Sequence, residues 1–192
     1  VIEPVQSDRL FTLPNALSVL RLAGVPVFLW LLLGPEQDLI ALAVLVAGAI
    51  TDWLDGKLAR WLNQASRLGA LLDPVADRLY IFAALFAFVV RGIIPWWVAV
   101  LLVARDLLVG LALPLLRRAG YAPPEVTYVG KAATFALLYA FPLLLLAQAD
   151  IGIAAIAAPT GYAFLIWGGA LYLWTGLLYL VQIGLAIRSP AR

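Results

Sequence analysis

The chain has 192 residues, 65% of them hydrophobic and 12% charged, with a net charge of +2 and a mean hydropathy of +1.00. Soluble domains are about half apolar and a quarter charged, so these values exclude an ordinary soluble domain and indicate an integral membrane protein. Cysteine and histidine are both absent, which excludes disulfides, thiolate or imidazole ligands and histidine general-base chemistry; any metal must be held by oxygen, as suits Mg²⁺, Mn²⁺ or Ca²⁺.

Residues 1–14 are mixed polar, with "SDRLFTLPN" before the first apolar run. They lack the apolar core of a cleavable signal peptide and are expected to lie along the membrane surface as a juxtamembrane segment, with Pro14 starting the first span. Crossing a hydrocarbon layer of ~30 Å takes roughly 20 apolar residues. Six stretches qualify, at about 15–33, 39–60, 70–91, 95–117, 130–148 and 160–187. Between them stand "GPEQD" (34–38), "NQAS" (63–66), "RGIIP" (91–95), "RRAGYAPPE" (117–125) and the segment from Asp150 to Pro159, all read as breaks. Runs this long satisfy their backbone groups in lipid as helices. The predicted fold class is therefore all-α integral membrane, with residues 15–192 forming one six-helix membrane domain.

Basic residues set the orientation. Arg9, Lys57, Arg60, Arg67, Arg117, Arg118, Lys131, Arg188 and Arg192 fall at the N-terminus, the second and fourth connections or the C-terminus, whereas the other connections hold Glu36, Asp38, Asp150 and a single basic residue, Arg91. The positive-inside rule puts both termini and the second connection in the cytoplasm. Trp96 and Trp97, at the outer end of the fourth span, suit an aromatic belt.

"DWLDGKLARWLNQASRLGALLDPVADR", residues 52–78, puts four aspartates into this apolar chain. Asp52 and Asp55 are three apart near the end of the second span; Asp73 and Asp77 are four apart near the start of the third. Each pair shares a helix face, and the short turn between predicts that the two helices are antiparallel neighbours with converging carboxylates. Four like charges so close would push one another toward the protonated form unless protons or divalent cations neutralise them. Paired ions of this kind are a recurring phosphoryl-transfer device. Gly56 and Gly69 permit close approach by a ligand, Ala59 keeps the face shallow and Arg60 offers a fork for phosphate or carboxylate. Pro74 is expected to start the regular part of the third helix or to open carbonyls beside the cluster. A lone intramembrane aspartate is often just a salt-bridge partner; four at these spacings point to function.

Asp52-x-x-Asp55-Gly56-x-x-Ala59-Arg60, eight further residues, then Gly69-x-x-x-Asp73-x-x-x-Asp77 resembles the signature of the CDP-alcohol phosphotransferase family, with every position filled. The resemblance implies transfer of a phosphatidyl group from CDP-diacylglycerol to an alcohol, releasing CMP, in anionic phospholipid biosynthesis. It implies that Asp52, Asp55, Asp73 and Asp77 hold two Mg²⁺ or Mn²⁺ ions, with Asp77 also the candidate general base. Gly56, Ala59, Arg60 and Gly69 would then cradle the cytidine and diphosphate. A homodimer in the plasma membrane, with its site at the cytoplasmic face, is implied as well; no nucleic-acid partner is expected.

Further polar residues bear on the acceptor. Arg117, Arg118 and Lys131 are predicted on the same membrane face as the aspartates and serve either as topology determinants or as ligands for an acceptor phosphate. Arg105 and Asp106, mid-span in "LLVARDLLVG", either neutralise each other or free Arg105 for the acceptor. Asn15 and Arg21, in "LPNALSVLR", resemble the polar positions that open the first helix in this family and would close the site from the other side. These basic residues favour phosphatidylglycerol, glycerol 3-phosphate or inositol phosphate over choline or ethanolamine. Within the family, nearly the whole chain, including "GKAATFALLYAFPLLLL" and "WGGALYLWTGLLYLVQ", resembles the actinobacterial cardiolipin-forming branch, while similar openings such as "LPNALSVLRL" and "IPWW" occur in the phosphatidylglycerophosphate-forming branch. The first resemblance implies phosphatidylglycerol as the preferred acceptor, and the second makes glycerol 3-phosphate the alternative. A cation or proton transporter would also use intramembrane carboxylates, but as a chain across the bilayer and not as a cluster at one face beside glycines and an arginine.

Overall fold

A computed structural model describes residues 13–61, 67–118, 127–149 and 151–188. Among the described residues there are six helices and no strand: α1 (Leu13–Leu33), α2 (Asp38–Trp61), α3 (Arg67–Val90), α4 (Trp96–Arg118), α5 (Tyr128–Gln148) and α6 (Ala154–Arg188). The all-helical expectation holds, and the helix ends follow the predicted breaks closely. Two boundaries differ. Regular α3 begins at Arg67, about two turns before Pro74, and α6 begins at Ala154 and runs through Pro159, where a break was expected. A proline inside a helix removes one backbone bond, and apolar helices packed on neighbours tolerate that loss. Pro26, Pro114 and Pro142 likewise stand inside α1, α4 and α5. At 1.5 Å per residue, α6 is about 52 Å long, well over the ~30 Å of a hydrocarbon layer.

Among the described residues, four helices contain stretches long and apolar enough to cross a membrane: Ala16–Leu33, Trp96–Pro114, Tyr128–Gln148 and Ala154–Leu185. α2 and α3 run into the aspartate-bearing segment, where many side chains lie outside the described residues. Large apolar side chains from every helix face outward, among them Trp30, Ile50, Phe86, Leu111, Leu138 and Trp167. Apolar surface on this scale is stable against lipid and costly against water. The chain is built as a multi-pass membrane protein.

The helices form two compact units, α1–α3 ending at Arg91 and α4–α6 opening at Gly92. In the first, α1 packs against both α2 and α3, burying Phe28 and Leu32 with Ala41, Ala84, Ala87 and Phe88. Among the described residues, α1 packs extensively on both α2 and α3; the turn between those two helices, on which their expected direct pairing rests, lies outside the described residues. One end of this unit is tied by Arg91, which donates to both carboxylate oxygens of Asp38 (Nη2 to Oδ2 is 3.2 Å) and reaches Glu36 at 3.5 Å. Asp38 is only 7% exposed and sits in the first turn of α2, where negative charge meets the positive end of the helix dipole. The hydrogen bonding that Arg91 donates to Asp38 is the main reason its guanidinium is held above its usual pKa, so it stays charged. Gly92 stops α3 in the left-handed region, at φ 69°.

In the second unit α6 packs on α5 and on α4. The α5–α6 contact is close because small residues recur every seven positions on α6. A Cβ at Gly161 would lie 3.1 Å from the Leu144 nitrogen, and one at Gly168 would lie 2.8 Å from Ala136 Cβ. Thr175, a further seven along, is buried. Thr127 caps α5 by accepting from the Gly130 N–H at 3.2 Å, while its own N–H donates to Tyr179 Oη on α6 at 3.0 Å.

Candidate active site

The carboxylates of α2 and α3 meet on a cation from α1. Arg21 Nη1 donates to Asp52 Oδ1 at 2.5 Å and to Asp77 Oδ1 at 3.1 Å, so three helices contribute to one ionic cluster. The Arg21 side chain is 1% exposed, whereas those of Asp52 and Asp77 are 44% and 57% exposed. A buried guanidinium is costly unless paired, and these two acids pair it from the open side. The cluster lies at the opposite end of the unit from Arg91 and Asp38, since fourteen residues of α2 or α3, about 21 Å, separate the two ends. Apart from Thr51, Arg78 and Tyr80, the intervening residues of α2 and α3 are apolar or glycine.

Arg21, expected to close the acceptor side of the site, bonds both aspartates. The half-exposed faces of Asp52 and Asp77 offer carboxylate oxygens, the donor set a hard divalent cation takes, and these two residues fit a metal on that ground. The side chains of Asp55, Gly56, Ala59, Arg60, Gly69 and Asp73 lie outside the described residues, although their backbones belong to α2 and α3. The same is true of Asn15, Arg117 and Arg118. Lys57, inside the motif, is exposed and stands 4.3 Å from the centre of the Trp53 ring and 5.9 Å from that of Trp61, an arrangement suited to a membrane interface.

Beside the cluster a cavity of ≈ 280 Å³ opens between α1 and α2, with Tyr80 of α3 in its wall. Arg21 and Thr51 stand at its acidic end, Gly24 and Gly48 along it, and Val27 and Val44 at the far end. Sequence reading missed Tyr80 and the two glycines. The available signal was the spacing of Tyr80, three after Asp77 and so on the same face of α3.

In the second unit Arg105 and Asp106 do pair, with Nη1 to Oδ1 at 3.2 Å, and Tyr172 of α6 donates to the same Asp106 oxygen. The Arg105 guanidinium stacks on the Tyr172 ring at 3.9 Å. Gly176 makes room for it, since a Cβ there would fall 2.6 Å from Arg105 Cγ. Arg105 Nε is buried without a hydrogen-bond partner among the described residues. Lys131, in the first turn of α5, is exposed, with its ammonium 5.5 Å from the centre of the Tyr128 ring.

Comparison with known proteins bears on the chemistry. The family profile described as CDP-alcohol phosphatidyltransferase matches residues 11–174. The chain is 52% identical over 190 residues to a protein of Streptomyces coelicolor named cardiolipin synthase (CMP-forming), covering 96% of this chain and 88% of the relative. It is 47% identical to a putative cardiolipin synthase of Mycobacterium tuberculosis, over 98% of this chain and 90% of that one. A CDP-diacylglycerol–glycerol-3-phosphate 3-phosphatidyltransferase of Bacillus subtilis is 35% identical, over 71% of this chain and 78% of the relative. With the acidic motif on α2 and α3 and a match spanning most of the chain, this protein is a member of the CDP-alcohol phosphatidyltransferase family and an enzyme of that class.

Proposed function

We propose that the chain transfers the phosphatidyl group of CDP-diacylglycerol to a hydroxyl of phosphatidylglycerol, forming cardiolipin and CMP at the cytoplasmic face of the plasma membrane. The acceptor oxygen forms a bond to the lipid-side phosphorus as the phosphoanhydride bond to CMP breaks, and the hydroxyl proton passes to the Asp77 carboxylate. Among the described residues, the observation that carries this reading is the half-open pair Asp52 and Asp77 gathered on buried Arg21. The choice of acceptor is supported by the 52% identity to a relative named cardiolipin synthase (CMP-forming).

Asp52, Asp55, Asp73 and Asp77 would hold two Mg²⁺ or Mn²⁺ ions. Bound there, the ions supply charge neutralisation for the diphosphate and the departing CMP. Arg21 keeps the Asp52 and Asp77 carboxylates aimed together and, with Asn15, closes the acceptor side of the site. Gly56, Ala59, Arg60 and Gly69 cradle the cytidine and diphosphate. Arg105, whose Nε has no hydrogen-bond partner among the described residues, and Lys131 offer donors to an acceptor phosphate, together with Arg117, Arg118 and Asn15. Six spans, cytoplasmic termini and a homodimer complete the proposal.

Glycerol 3-phosphate as acceptor is the second reading, favoured by the Bacillus subtilis relative named for it. Purified protein given CDP-diacylglycerol with either acceptor, followed by lipid chromatography, separates the two: cardiolipin from phosphatidylglycerol is expected, and phosphatidylglycerophosphate alone would overturn the assignment.

A further inference from the structure

The cavity that starts at the acid pair contains a donor facing an apolar space. Tyr80 is 7% exposed and follows Asp77 by three positions on α3, about 4.5 Å farther along the helix. Its ring is held edge-on by Phe28, with centroids 6.0 Å apart and planes at 62°. The hydroxyl is threaded between two glycines. A Cβ at Gly24 would fall 2.2 Å from Tyr80 Oη, and one at Gly48 would fall 3.5 Å from it. Among the described residues Tyr80 Oη has no hydrogen-bond partner, and every other wall residue except Arg21 and Thr51 is apolar or glycine. A buried phenol ordinarily finds an acceptor.

The position of the cavity limits what that acceptor is. It shares Arg21 with the Asp52–Asp77 cluster, extends about 9 Å along α1 to Val27, and is flanked by Leu20 and Val27, which are exposed on the apolar outer surface. A ligand whose polar end lies on the aspartates and whose tail enters this cavity has an acceptor one helical turn below its phosphate and methylenes beyond. Given the reaction proposed above, on which this inference rests, we infer that Tyr80 Oη donates a hydrogen bond to an acyl ester carbonyl of the CDP-lipid, the cavity taking the adjoining chain. Tyr80 is then a specificity residue that distinguishes ester-linked from ether-linked donors, because an ether lipid has no carbonyl at that level.

The test compares kcat/KM for CMP release from CDP-diacylglycerol and from its dialkyl ether analogue, with phosphatidylglycerol as acceptor and the full chain in mixed micelles. One neutral hydrogen bond corresponds to an ester preference of about 3- to 10-fold in the native chain. In Tyr80→Phe, which keeps the ring on Phe28, the ester/ether ratio falls toward one. Gly24→Ala, which crowds the hydroxyl, shifts the ratio the same way by a different route. A ratio unchanged by Tyr80→Phe, or an equal loss on both donors, overturns the inference and leaves the reaction intact. A change confined to ester versus ether phosphatidylglycerol also overturns it, by assigning the cavity to the acceptor. No CMP from either donor in the native chain overturns the transfer reading itself and this inference with it.

Discussion

Replacing Arg21 by alanine removes two charge-assisted hydrogen bonds at 2.5 and 3.1 Å and leaves two carboxylates facing each other. Hydrogen bonds to charged groups contribute about 1.5–3 kcal/mol each. Because Asp52 and Asp77 are roughly half exposed, solvent screens them and the lower figure applies, for a loss of about 3 kcal/mol. For a chain of this size, 1 kcal/mol moves the thermal midpoint by about 2–4 °C, so Arg21→Ala lowers it by on the order of 10 °C. Arg21→Lys keeps the charge but has no planar fork; with one bond kept, it loses about half as much. Scanning fluorimetry in detergent measures stability, and CMP release titrated with Mn²⁺ measures the site. If Arg21 aligns the acids, Arg21→Ala raises the half-saturating Mn²⁺ concentration, and Arg21→Lys restores part of it. An alanine variant with native midpoint and native Mn²⁺ dependence would refute the ionic cluster as the organiser of α1, α2 and α3.

Two further predictions concern packing. Gly168→Val places its Cβ against Ala136 and costs about 1–3 kcal/mol by overpacking, whereas Gly169→Ala, with nothing within 4 Å of its Cβ, leaves the thermal midpoint unchanged or raised; equal effects of the two would contradict the α5–α6 register. Arg91→Ala leaves Asp38 buried without its cation, at a cost of about 3–5 kcal/mol. Arg91→Ala combined with Asp38→Asn recovers part of that loss, and denaturation in detergent of both single variants and the double variant checks the coupling.

The helices were legible because each apolar run is long, continuous and bounded by polar residues or glycine. The α6 boundary was misjudged because proline is a strong breaker signal in sequence, while packing on α5 offsets the lost bond at Pro159. The aspartate motif stood out by its spacing, yet spacing within α2 and α3 says nothing about a third helix. The bonds from Arg21, fifty-six positions before Asp77, to both acids are therefore not visible in sequence. Asp38 and Arg91 were read as parts of separate breaks, because their pairing depends on how α1–α3 fold together. Tyr80 looked like another aromatic residue of an apolar span; its position between Gly24 and Gly48 exists only once α1 and α2 lie side by side.

The central claim is transfer from CDP-diacylglycerol at the acid cluster, and CMP release by the purified chain with phosphatidylglycerol tests it most directly. CMP and cardiolipin are expected in equal amounts with Mg²⁺ or Mn²⁺, abolished by EDTA, restored by adding the metal back, and lost by at least 100-fold (roughly the lower limit for removing a general base) in Asp77→Asn. Undiminished CMP release after EDTA, or from Asp77→Asn, would contradict it.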